Sequence, residues 1–118
     1  MKQQSIVLNN FLNQRYTMLI PRIIHQVWFG FTGPVEDAPE YYEPHQKTRE
    51  FCKEHMITHV MWNREDCEEL AQPYQGLWES FRYDIQRVDF IRCVILKTYG
   101  GIYVDMDIYP VKNIDDLF

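Results

Sequence analysis

Cysteine is scarce in this chain of 118 residues. Only Cys52, Cys67 and Cys93 occur, an odd number at wide spacing without a Cys-x-x-Cys, which argues against a disulfide framework and against a zinc site. A reducing compartment is the expectation. No stretch approaches the roughly eighteen apolar residues needed to span a bilayer. Asn9, Asn10, Asn13, Gln14 and Arg15 interrupt any signal-peptide core. The cytoplasm is therefore the default location. Positive charge is also short: 12 Lys and Arg against 17 Asp and Glu give a formal net charge of −5, without the basic footprint of a nucleic-acid or anionic-lipid partner. Small molecules bound through a metal suit that balance better. His45, His55 and His59 show no ligand spacing and read as partly exposed polar residues, and His25 reads as a satisfied core or turn histidine.

What remains is an ordinary globular composition, 46% hydrophobic and 25% charged, with length for one domain and one core. Residues 1–20 carry a weak amphipathic pattern and read as a leader segment, helical or disordered. Residues 21–29, Pro-Arg-Ile-Ile-His-Gln-Val-Trp-Phe, are β-branched and aromatic and suit a buried first strand ended by Gly30. Pro34, Pro39 and Pro44, with Gly33, mark residues 31–44 as a loop. A helix over about 45–55 and a strand over 57–62 follow. Asn63 is a helix N-cap, with Glu65 and Asp66 in a first turn that the helix dipole favours. A short helical or irregular connection spans 75–81. The long helix covers about 84–98, with Ile85, Val88, Ile91, Val94 or Ile95, and Tyr99 at the spacing of one buried stripe. Arg82 and Arg87 read as ordinary surface residues.

That helix ends in Gly100-Gly101, and the chain then runs Ile102-Tyr103-Val104-Asp105-Met106-Asp107. Gly100 can take the left-handed conformation that closes a helix, and Gly101 lets a strand start directly behind it. On an extended strand, residues two apart share a face, which would project Tyr103, Asp105 and Asp107 together. Like charges held close cost free energy, and a hard divalent cation such as Mg²⁺ or Mn²⁺ removes that cost while keeping positions open for phosphate or water. Strand ends are also where α/β sheets bind ligands. Taken alone, Asp-x-Asp is more often a solvated turn. Asp89 and Arg92, at i and i+3 of the long helix, share a face, and spacing alone makes them a surface ion pair.

The block from Val88 to Pro110 closely resembles the sugar-nucleotide-binding block of the DXD glycosyltransferases related to the yeast initiating mannosyltransferases and the large clostridial glucosylating toxins. The pattern there is Asp-x-x-Arg, an apolar helix, Gly-Gly-x-Tyr and Asp-x-Asp, filled here by Asp89, Arg92, Gly100, Gly101, Tyr103, Asp105 and Asp107. A second resemblance lies in the first strand, Ile-Pro-x-Ile-Ile-His-x-x-Trp, found from Ile20 to Trp28. The resemblance implies a Rossmann-like GT-A nucleotide-sugar-binding α/β sandwich over residues 21–118, short at its C-terminal end. It implies transfer of a hexose from a UDP- or GDP-linked donor to a glycan or protein acceptor, with Mn²⁺ or Mg²⁺ and retention of anomeric configuration. Trp28 would stack on the base, and Asp89 would bind donor-sugar hydroxyls. Arg92 would contact sugar or phosphate, and Tyr103 a phosphate. Asp105 would bind ribose or sugar and reach the metal through water, while Asp107 would ligate it directly. Members of that family continue well past Asp-x-Asp, so the alternative is a truncated, inactive nucleotide-sugar-binding module, or half of an oligomer.

Overall fold

The computed structural model describes residues 19–30 and 33–118. The leader reading over residues 1–20 therefore lies outside the described residues, apart from Leu19 and Ile20, which are exposed.

Strand β1, Ile23–Val27, is buried at all five positions. It is the central strand of a three-stranded parallel sheet in the order β2-β1-β3. Helix α1, Pro39–Glu54, leads to β2, Thr58–Trp62, which pairs with β1 from Ile23 opposite Thr58 to Val27 opposite Trp62. Helices α2, Arg64–Leu70, α3, Gln75–Ser80, and α4, Asp84–Tyr99, then carry the chain to the other edge of β1. There the two-residue strand β3, Ile102–Tyr103, sets Ile102 opposite Ile24 and Tyr103 opposite His25. Parallel strands need such crossovers, and a sheet covered on both faces reads as nearly continuous apolar sequence, as β1 does. The architecture is α/β and Rossmann-like.

Alternation along β1 splits the core in two. Ile23 and Val27 pack with Val60, Trp62, Cys67, Trp78, Ile91 and Ile95, on the face covered by α2 to α4. Ile24 packs with Phe51, Cys52 and Ile57 on the α1 face. Within the long helix, Ile91, Val94 and Ile95 are buried, but Ile85 is 60% exposed and stands outside the expected stripe. Asn63 caps α2 as expected: its side chain accepts from the Asp66 amide at 2.8 Å, and Asp66 returns a bond to the Asn63 amide.

Two local readings are corrected. The helix α1 begins at Pro39, well inside the stretch expected to be loop, because Pro at the first helical position loses only an N–H that would have been unpaired anyway. Arg87 is not an ordinary surface residue. It is largely buried and donates to the Trp78 carbonyl at 3.0 Å and the Phe81 carbonyl at 2.7 Å, while its Nη1 pairs with Asp84 at 3.1 Å. It ties the end of α3 to the start of α4.

Candidate functional site

Beyond Tyr103 the chain leaves the sheet. The Val104 amide still donates to the His25 carbonyl at 3.0 Å, after which Asp105 to Ile108 form a turn in which the Ile108 amide reaches the Asp105 carbonyl at 3.4 Å. The expectation of an extended Asp-x-Asp strand is thus corrected: the two carboxylates sit on a turn. Met106, only 6% exposed, is its inward anchor, while Asp105 and Asp107 on either side are exposed. Burying the middle residue turns its neighbours outward, so the turn brings both carboxylates to one cleft by a different route from strand alternation.

That cleft has a volume of about 280 Å³ and is open to solvent. It is lined by Trp28, Asp89, Arg92, Tyr103, Asp105 and Asp107 together, every site residue expected from the sequence. Val27, Tyr41, Ile85, Val88 and Met106 complete its wall. Asp89 and Arg92 are 3.7 Å apart and both well exposed, a weak pair that a ligand can open at little cost. The Tyr103 phenol has its pKa raised by burial and then by the Asp105 charge, so it stays protonated and can donate. Trp28 is half-buried, its Nε1 donating to the Gly33 carbonyl at 3.0 Å. Tyr41 of α1 packs beside it, ring centroids 5.3 Å apart at a tilt of 49°. Tyr41 escaped the sequence reading because its stretch read as loop. Only the helical start at Pro39 places it opposite Trp28.

The donor chemistry fits a hard divalent cation in part. Two carboxylates supply oxygen ligands, whereas among the described residues no group of three or more His, Cys, Asp or Glu converges to hold a metal alone. A cation here would take its remaining ligands from phosphate and water, the habit of Mg²⁺.

Among the histidines only His45 departs from expectation. His25 is a satisfied core residue: Trp62 Nε1 donates to its Nδ1 at 3.0 Å, and its Nε2 donates to the Gly100 carbonyl at 2.9 Å. That pair of bonds uses the neutral imidazole fully. Burial lowers its pKa to about 4, against the Gly100 carbonyl, which raises it. His45 is buried rather than partly exposed, and His59 is half-buried with its pKa lowered to about 4, first by burial and then by neighbouring positive charge. For His25 and His59 the folded pKa lies below the unfolded value of about 6.5. Their contribution to stability is therefore present above pH about 6.5 and lost as pH falls toward about 4, at about 1 kcal/mol per pH unit for each histidine. Urea unfolding should show a midpoint that drops between pH about 7 and about 5. An unchanged midpoint would refute neutral burial of this pair.

The structure thus places a carboxylate turn, a helix-borne Asp-x-x-Arg and the Trp28 ring around one cleft at the strand ends of a parallel α/β sheet, where sheets of this kind bind ligands. The sequence profile described as the glycosyltransferase sugar-binding region containing the DXD motif matches residues 35–118, and the chain belongs to that family. It is 34% identical over 104 residues to an uncharacterized glycosyltransferase, L373, of Acanthamoeba polyphaga mimivirus, covering 83% of this chain and 39% of that protein. It is 34% identical over 104 residues to the mannosyl phosphorylinositol ceramide synthase SUR1 of Saccharomyces cerevisiae, 84% of this chain and 25% of the other. With the inositol phosphoceramide mannosyltransferase 3 of Schizosaccharomyces pombe it shares 32% identity over 117 residues, 94% of this chain and 31% of that one. The chain thus spans well under half the length of these curated relatives. No solved structure matches. Among the described residues no helix is long and apolar enough to cross a membrane.

Proposed function

We propose that residues 21–118 form the donor-binding part of a GT-A glycosyltransferase that transfers a hexose from a nucleoside diphosphate sugar to a hydroxyl acceptor. The observation that carries this reading is the convergence of Asp89, Arg92, Tyr103, Asp105 and Asp107 on the cleft beside Trp28 in a chain of the DXD family. Relatives named as mannosyltransferases favour mannose as the hexose, and their names point to an inositol-bearing lipid headgroup as the acceptor class.

In this reading Trp28 stacks on the nucleobase, with Tyr41 stiffening it from the side. Asp89 accepts from hydroxyls of the donor sugar, which requires its weak pair with Arg92 to open. Arg92 then turns to the diphosphate, and the protonated Tyr103 phenol donates to a phosphate oxygen. Asp107 would hold the divalent cation, Mn²⁺ or Mg²⁺, directly, and Asp105 would support it less directly while holding ribose or sugar. The cation, when bound, neutralises charge that develops on the departing diphosphate. Arg92 contributes fixed positive charge at the same place. The acceptor hydroxyl is itself the nucleophile, its oxygen bonding the sugar C1 as the C1–O bond to the diphosphate breaks and its proton passing to the departing phosphate oxygen. No side-chain nucleophile is therefore required, and the family resemblance favours retention of configuration.

The test is thermal unfolding with UDP, GDP and their sugar conjugates, each with and without Mn²⁺. One nucleotide should raise Tm selectively, and by more with Mn²⁺ than without it, because a ligand that binds the folded state alone stabilises by linkage. Trp28→Ala should weaken nucleotide binding on the order of tenfold, given that base stacking contributes roughly 1–3 kcal/mol. It should leave the response to Mn²⁺ at saturating nucleotide unchanged. Equal nucleotide affinity in variant and parent would remove the stacking role.

A further inference from the structure

The central strand β1 carries a glutamine, Gln26, at a position with no exposed surface. Its Oε1 accepts from His45 Nδ1 and from His59 Nε2, each at 2.8 Å. Its Nε2 donates to the Asp105 carbonyl at 3.3 Å. The amide orientation is set by these partners, since a carbonyl can only accept, so the amide nitrogen faces Asp105 and the oxygen faces two imidazole N–H groups. Strand β3 ends at Tyr103, and no ladder bond reaches the carbonyl of Asp105. It is held instead by Gln26 and by the Ile108 amide that closes the turn. Burying a glutamine and two histidines costs free energy that apolar residues would not. Here the three polar groups satisfy one another and direct a single N–H at the backbone of the first aspartate of Asp-x-Asp.

We propose that Gln26 is a positioning residue that sets the Asp105–Ile108 turn, and through it the spacing of the two carboxylates toward the cation and diphosphate, with His45 and His59 locking its amide. Gln26 touches no ligand itself. It acts from beneath the site, on the α1 face of the sheet, while the carboxylates face the cleft. The inference rests on the donor-site reading above, and the experiment separates the two. Gln26→Glu keeps the side-chain size and both acceptor bonds to the histidines but sets an acceptor against the Asp105 carbonyl. Gln26→Met fills a similar volume without an amide and carries the same test where the glutamate variant unfolds. The readouts are the free-Mn²⁺ EPR signal, titrated in the presence of the nucleotide that stabilises the parent chain, and Tm without ligand.

The expected result is Mn²⁺ affinity weakened roughly 10–100-fold, the range for residues that orient metal ligands from behind. Nucleotide affinity without metal should stay within twofold, because Trp28 does not depend on the turn. A variant with lowered Tm but parental Mn²⁺ affinity overturns the positioning role and leaves Gln26 a packing residue. A parent chain with no Mn²⁺-dependent nucleotide binding overturns the donor-site reading, and the positioning role falls with it.

Discussion

Asp107→Ala is expected to abolish Mn²⁺-dependent donor binding by this chain while leaving its unfolding temperature without ligand unchanged. Asp107 is exposed on a turn whose inward anchor is the neighbouring Met106, so removing its carboxylate takes nothing from the core. The turn offers two carboxylates, and among the described residues no group of three or more His, Cys, Asp or Glu converges to hold a metal. Losing one of two halves the protein's share of the coordination and removes one of the charges that attract the cation. The stabilisation by nucleotide and Mn²⁺ that the parent should show, about 3 kcal/mol at a hundredfold excess over Kd, should disappear. Where transfer or donor hydrolysis is measurable, the loss should be on the order of a thousandfold, the scale of several kcal/mol of charge stabilisation at the leaving group. Asp105→Ala should weaken the same response less, since its proposed support of the cation is less direct. Unchanged Mn²⁺-dependent binding in Asp107→Ala would sink the ligand assignment and return the turn to an ordinary acidic surface feature.

The parts of this site that were legible in the sequence are those encoded locally. Asn63 announces α2 because its cap and the answering Asp66 are three residues apart. Gly100 and Gly101 announce the passage from α4 to β3, and Asp89 and Arg92 share a face through helical spacing alone. The parts that stayed hidden depend on residues far apart in the chain. Gln26 meets His45, His59 and Asp105 across separations of 19, 33 and 79 residues, so no window of sequence could have joined them. His45 looked solvent-facing because its burial follows from that partnership rather than from its neighbours. The Asp-x-Asp segment was placed on a strand because apolar alternation runs on to Met106. In fact pairing stops at Tyr103 because β3 meets only Ile24 and His25 of β1. Ile85 fits the apolar period of α4, yet it lies on the turn of helix that overhangs the cleft, where it lines the site rather than the core.

Gly101→Ala is the substitution expected to damage the fold most. Gly101 has φ of +91°, and a Cβ added there would stand 2.3 Å from Ile23 Cγ2 and 2.7 Å from the Ile23 carbonyl oxygen. The first of these belongs to a fully buried side chain and the second to the backbone of the central strand, so neither can yield without moving β1. Left-handed backbone costs an L-residue roughly 1–2 kcal/mol, and overpacking a core typically adds about 1–3 kcal/mol. Together these approach half of the stability of an ordinary small domain, which is roughly 5–15 kcal/mol. A fall in Tm on the order of 15 °C is expected. Gly76→Ala is the matched control, because a Cβ on that helical glycine meets nothing within 4 Å, and its Tm should hold or rise slightly. The consequence for function follows from position. Gly101 is the point at which α4, carrying Asp89 and Arg92, is joined to the strand that leads into Asp105 and Asp107, so the same contact that forbids a side chain brings the two halves of the cleft together. A Gly101→Ala chain that melts within about 2 °C of the parent would mean that β1 and β3 have slack at this crossing, and that the spacing between the helix-borne pair and the carboxylate turn is not set there.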